Sequence, residues 1–139
     1  MEIKPILLDT NAYTAFKRNV SDAVEVINNT PLIGLNSVIL GELLGGFAVG
    51  TKEAINRDEL KLFLSIEKVK VFVIDNDTAE YYAMVYRSLR TKGNPIPTND
   101  MWIASTALQH NLSLFSYDKH FQAVNGLVTG TCLSDLMVK

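Results

Sequence analysis

Apolar residues come in short blocks along this chain, each closed by small polar or acidic residues. Ile6-Leu7-Leu8 ends at Asp9-Thr10-Asn11. It is too brief and too apolar for an amphipathic helix and reads as a buried strand. Leu32-Ile33-Gly34-Leu35 and Leu112-Ser113-Leu114-Phe115 have the same character. Val69-Lys70-Val71-Phe72-Val73-Ile74 is the most β-branched run, and a last strand is expected near Leu127-Val128.

Between these blocks the period lengthens to that of helices. One helix is expected from Thr10 to Lys17, with Ala12, Ala15 and Phe16 on one side, and another from Ser21 to Asn28-Asn29. A third runs from an Asn36-Ser37 cap to Phe47 and is weakened by Gly45-Gly46 and Gly50. A charged helix from Thr51 carries Ile55, Leu60, Phe63 and Leu64. Another, from Thr78 to about Thr91, ends at Gly93. After the rigid Asn94-Pro95-Ile96-Pro97 connector, Thr98 or Asn99 is expected to cap a helix from Asp100 to about His110. The tail from Thr131 has no clear period. Strands alternating with helices predict an α/β domain with a largely parallel sheet. With no repeat or linker in 139 residues, a single domain over residues 1–139 is expected.

Composition narrows the class. Hydrophobic residues make up 47% and charged residues 20%, which excludes a disordered chain. No apolar run approaches the roughly 20 residues of a membrane span, and Met1-Glu2-Ile3-Lys4-Pro5 does not open a signal peptide. The one cysteine, Cys132, excludes an internal disulfide and a cysteine-based zinc site. These features predict a soluble cytoplasmic protein. The net charge of −2 gives no global attraction to a polyanion, so nucleic acid would need bound cations or a local basic surface.

Four of the 15 acidic residues sit where acids are costly. Asp9 and Asp118 follow strands. Glu42 lies within Val38-Ile39-Leu40-Gly41-Glu42-Leu43-Leu44, a helix with little room for a solvated face, and Asp100 precedes Met101-Trp102-Ile103-Ala104. Buried carboxylates shift their pKa or find a partner. Each has a structural alternative: Asp100 as a favourable charge at a helix start, Asp9 and Asp118 as turn formers. All four alternatives holding together is the less economical reading. If the acids converge, their repulsion calls for a cation, and oxygen donors without His or Cys suit Mg²⁺ or Mn²⁺. A water activated there can attack a phosphodiester. One ion or two stays open.

The segments Leu7-Leu8-Asp9-Thr10-Asn11, Val38-Ile39-Leu40-Gly41-Glu42-Leu43, Ile96-Pro97-Thr98-Asn99-Asp100-Met101-Trp102-Ile103-Ala104 and Ser116-Tyr117-Asp118-Lys119-His120-Phe121 follow the order and spacing of a PIN domain. The chain resembles most the toxin ribonucleases of VapBC toxin–antitoxin pairs, from about Ile6 to Phe121. The resemblance implies a PIN-like domain: a five-stranded parallel sheet in order 3-2-1-4-5, flanked by helices. It implies metal binding by Asp9, Glu42, Asp100 and Asp118, supported by Thr10, Asn11 and Ser116. It also implies Mg²⁺- or Mn²⁺-dependent RNA hydrolysis leaving a 5′-phosphate, a VapB-type antitoxin partner, and a homodimer. A nuclease of RNA maturation or decay, and a non-catalytic PIN-like binding module, are the alternatives. An aspartyl-phosphate phosphatase is discounted, because its second Asp is Asn11 here.

The remaining polar residues receive plainer readings. His120 is expected to pack or start a helix rather than act as a base, since a metal already acidifies water. Cys132 is expected to be a buried thiol, and Tyr81, Tyr82 and Tyr86 to pack in the core. Lys17, Arg18, Arg87, Arg90 and Lys92 are the candidates for RNA phosphate contacts.

Overall fold

A computed structural model describes residues 2–138. Five short strands, β1 (Ile6–Leu8), β2 (Ile33–Asn36), β3 (Val69–Phe72), β4 (Ser113–Phe115) and β5 (Thr129–Gly130), form one sheet in the order β3-β2-β1-β4-β5. Every neighbouring pair is parallel, as the sequence led us to expect. β1, β2 and β4 are buried throughout. A strand covered on both faces keeps no polar alternation, and this explains their continuous apolar runs.

Seven helices surround the sheet among the described residues: α1 (Thr10–Lys17), α2 (Ser21–Asn29), α3 (Ser37–Ala48), α4 (Glu53–Leu64), α5 (Asn76–Lys92), α6 (Thr98–Gln109) and α7 (Leu133–Leu136). A 3₁₀ helix spans Lys119–Ala123. Local chemistry sets most of the boundaries. The Asn36 side chain accepts from Ile39 N–H and caps α3. Asp75 and Thr78 form a reciprocal capping box on α5. Gly93 ends that helix at φ 66°, a left-handed conformation that glycine adopts without a Cβ penalty.

Several expectations need correction. β3 stops at Phe72, short of Ile74, and it is the partly exposed edge of the sheet, its Lys70 and Val71 facing solvent. Its β-branched composition reflected strand propensity, not burial. α4 begins at Glu53 and α5 at Asn76. α6 begins at Thr98 with Pro97 in the capping position, so neither Thr98 nor Asn99 caps it; the fixed proline φ suits the entry to a helix. The last strand lies at Thr129–Gly130, just beyond Leu127-Val128. The tail forms α7, tied back to the amino terminus by an antiparallel bridge between Met137 and Ile3.

The sheet's switch point positions the site. From β1 the chain moves outward through β2 to β3, then returns across α5 and α6 to place β4 on the other side of β1. Crevices outside the carboxyl ends of strands at such reversals are where open parallel sheets hold ligands. Leu8 pairs with Phe115, so Asp9 and Ser116 leave the sheet side by side.

Candidate functional site

Asp9 is the first residue past β1 and the cap of α1, its Oδ1 accepting from Thr10 N–H at 2.8 Å. Its other oxygen accepts a 2.6 Å hydrogen bond from the Ser116 hydroxyl. Ser116 Oγ in turn accepts from Asp118 N–H at 3.0 Å, so one side chain links the two strand-end acids. Asn11 Oδ1 accepts from Tyr117 N–H at 3.1 Å and holds the turn between them.

Glu42 comes from α3. Its Oε1 accepts from the Thr10 hydroxyl at 2.7 Å and its Oε2 from the Asn99 amide at 3.3 Å. α3 does have a solvated face, contrary to expectation: Ser37, Gly41, Gly45 and Gly46 are exposed, and Glu42 is half-buried. Asp100 comes from the first turn of α6, a helix buried on nearly every side. The Asn36 amide donates to Thr106 Oγ1 at 2.9 Å, fastening the start of α3 to α6. Two helices distant in sequence thus face the same strand ends.

Asp9, Thr10, Asn11, Arg18, Glu42, Asp100 and Asp118 line one cleft of about 500 Å³. All four predicted acids therefore line one cleft, with Thr10 and Ser116 bonded to Glu42 and Asp9, while Asn11 bonds the Tyr117 backbone rather than an acid. Among the described residues no lysine or arginine pairs with any of the four; the single ionic partner is His120. The electrostatics reflect this. Burial pushes Asp9 up to about 6, the nearby Glu42 and Asp100 charges add to the rise, and the Ser116 and Thr10 hydrogen bonds oppose it. Burial also raises Asp100, against a lowering hydrogen bond from His120 and with the Asp118 and Glu42 charges adding to the rise. His120 is raised in turn, chiefly by its hydrogen bond to Asp100 and then by the Asp118 charge.

Two residues that touch the acids were given other roles by the sequence. Asn99 was weighed only as a helix cap, yet its amide reaches Glu42. His120 does start the 3₁₀ helix, its N–H donating to Asp118 Oδ1 at 2.9 Å. Its ring does not pack: it is 52% exposed and touches both Asp100 and Asp118. Adjacency to Asp100 and Asp118 in sequence was the available signal for each.

The basic candidates separate. Arg18 lines the cleft, whereas Lys17 pairs with Glu59 at 3.2 Å. Arg87 and Lys92 line a different groove on α5, where Lys92 donates to Asn125 and to the Ala123 carbonyl. Arg90 lies over the Tyr86 ring. Of the tyrosines, Tyr82 stacks on Trp102 with ring centroids 4.2 Å apart, while Tyr86 is exposed. Tyr81 and Cys132 are only half-buried, and Tyr81 lies outside the core cluster, so none of Tyr81, Tyr86 and Cys132 is the buried residue expected.

The chain is 32% identical over 92 residues to ribonuclease VapC4 of Mycobacterium tuberculosis, covering 66% of this chain and 70% of that relative. It is 29% identical over 127 residues to ribonuclease VapC2 of Rickettsia felis, covering 88% and 93%. Its fold matches a chain in the crystal structure of VapBC2 from Rickettsia felis bound to a DNA fragment from their promoter. That match has a TM-score of 0.79 and 25% identity, and it covers 91% of this chain and 97% of the other. The PIN domain itself matches residues 6–127, from β1 past the 3₁₀ helix and so across all four acids, and the chain belongs to the PIN-domain family.

Proposed function

We propose that this protein, a single domain over residues 1–139, is a divalent-cation-dependent endoribonuclease and the toxin of a type II toxin–antitoxin pair. The observation that carries the reading is the convergence of Asp9, Glu42, Asp100 and Asp118 on one cleft where no lysine or arginine among the described residues pairs with them. Mutually repelling carboxylates, two of them with raised pKa, fit a cation, and oxygen donors suit Mg²⁺ or Mn²⁺ better than zinc. Such an ion, when bound, polarises a phosphate and acidifies a water.

The chain's own residues do the positioning. Asp9, Glu42, Asp100 and Asp118 would hold the cation. Ser116 and Thr10 N–H fix the two oxygens of Asp9, while the Thr10 hydroxyl and Asn99 fix those of Glu42. Asn11 holds the backbone of the turn that carries Asp118. Arg18 offers the cleft a cationic group for a substrate phosphate. No side chain needs to form a covalent bond to the RNA.

The VapC ribonucleases among the relatives support the toxin assignment, and the VapBC2 neighbour supports a VapB-type antitoxin as partner; a homodimer belongs to the same proposal. We place the antitoxin's carboxyl-terminal segment over the acidic cleft and the protein in the cytoplasm, where its substrate lies. No helix among the described residues is long and apolar enough to cross a membrane.

The test is cleavage of cellular RNA by antitoxin-free protein with Mg²⁺ or Mn²⁺, with EDTA, and with Asp9→Asn. Cleavage that needs metal and is lost in the variant supports the reading. Failure of the metal-loaded wild type to cut any cellular RNA would leave a binding module instead.

A further inference from the structure

One imidazole reaches two of the acids that line the cleft. His120 Nδ1 lies 3.0 Å from Asp100 Oδ2 and 3.1 Å from Asp118 Oδ1. Ligand atoms of these three residues all fall within 4.8 Å of one another. The arrangement is built from both sides. Asp118 caps the 3₁₀ helix and fixes the His120 backbone, and α6 delivers Asp100 opposite.

A single Nδ1–H cannot point well at two carboxylate oxygens at once. A metal ion can satisfy all three atoms. Bonds of about 2.1–2.2 Å at right angles separate adjacent ligand atoms by about 3.0 Å, which matches both measured spacings. We propose that His120 Nδ1 is an inner-sphere ligand of the cation held by Asp100 and Asp118, and that this nitrogen makes the site favour Mn²⁺ or Co²⁺ over Mg²⁺. The proposal rests on reading the acids as a metal site. Mg²⁺ prefers oxygen donors and retains water, whereas imidazole binds first-row transition ions more strongly.

The other histidine in the sequence, His110, follows α6 at its far end and stacks against Phe72 with ring centroids 4.3 Å apart. A nitrogen signal at the ion is therefore assignable to His120. The experiment uses untagged, antitoxin-free protein loaded with Mn²⁺, comparing wild type with His120→Gln by electron spin-echo envelope modulation for ¹⁴N. Calorimetric titrations with Mn²⁺, Co²⁺ and Mg²⁺ accompany it, and circular dichroism checks folding. The ring is 52% exposed, so the variant is expected to fold.

Imidazole ¹⁴N coupling is expected in the wild type and absent in His120→Gln. Affinity for Mn²⁺ and Co²⁺ should fall about tenfold, and that for Mg²⁺ less than about threefold. Bound Mn²⁺ without nitrogen coupling, or coupling that survives the substitution, overturns the assignment and leaves the acidic metal site standing. Wild type that binds none of the three ions overturns both.

Discussion

The Asp9→Asn substitution should disable the site and, without metal, stabilise the fold. Asp9 is 5% exposed, and burial with the nearby Glu42 and Asp100 charges lifts its carboxyl from 3.8 to about 6. The folded state therefore holds the Asp9 proton more tightly than the unfolded chain does. Stability from this group is complete below about pH 4 and is lost as the pH rises through about 6. The full loss at pH 8 corresponds to about 3 kcal/mol. Asparagine removes that charge penalty. Its carbonyl can accept from Thr10 N–H, but its amide cannot accept the Ser116 proton, which costs about 1 kcal/mol. A net gain of about 2 kcal/mol raises Tm by roughly 6–10 °C for a chain of this size. Differential scanning fluorimetry in EDTA at pH 8 and pH 4 measures it. The variant should melt higher at pH 8 and no higher than wild type at pH 4. Added Mn²⁺ should raise the wild-type Tm and leave the variant's nearly unchanged, reversing the order. A variant that is no more stable than wild type at pH 8 in EDTA would refute the argument that an uncompensated charge is stored at this position.

Thr10→Val deletes the hydroxyl that holds Glu42 Oε1 while keeping the backbone N–H on Asp9. RNA cleavage should fall by about tenfold with little change in Tm. Arg18→Ala should raise KM and flatten its salt dependence, whereas Lys92→Ala, on the separate α5 groove, should leave both unchanged. Gly34→Ala would place a Cβ 2.8 Å from the Phe72 ring and 3.2 Å from Leu112. Denaturant melts should show a loss of about 1–3 kcal/mol, with metal affinity retained.

The sequence by itself located the elements and singled out the four acids that line the cleft. Ile6-Leu7-Leu8 is too short and too apolar for an amphipathic helix, and it is a buried strand. The observed α1, Thr10–Lys17, starts at the Asp9 cap, and α2, Ser21–Asn29, stops before Thr30-Pro31, because capping and proline signals act within one turn of backbone. The likeness of four ordered motifs to a known family supplied the sheet order and grouped the four acids that line one cleft. Local reading failed where position relative to other elements decides. The β-branched run from Val69 ends as a strand at Phe72, short of Ile74, and Asn99 became a partner of Glu42 rather than a cap.

Only the tertiary structure decided the microscopic environment of the site. Ser116 reaches Asp9 because β4 returns beside β1, a crossover that no local signal encodes. The Asn36–Thr106 bond between α3 and α6 brings Asp100 toward Glu42, and the 3₁₀ turn places the His120 ring between two carboxylates. Propensity and capping are short-range and legible along the chain. Repulsion between distant acids and the donors that answer it exist only after folding has brought those residues within a few ångströms.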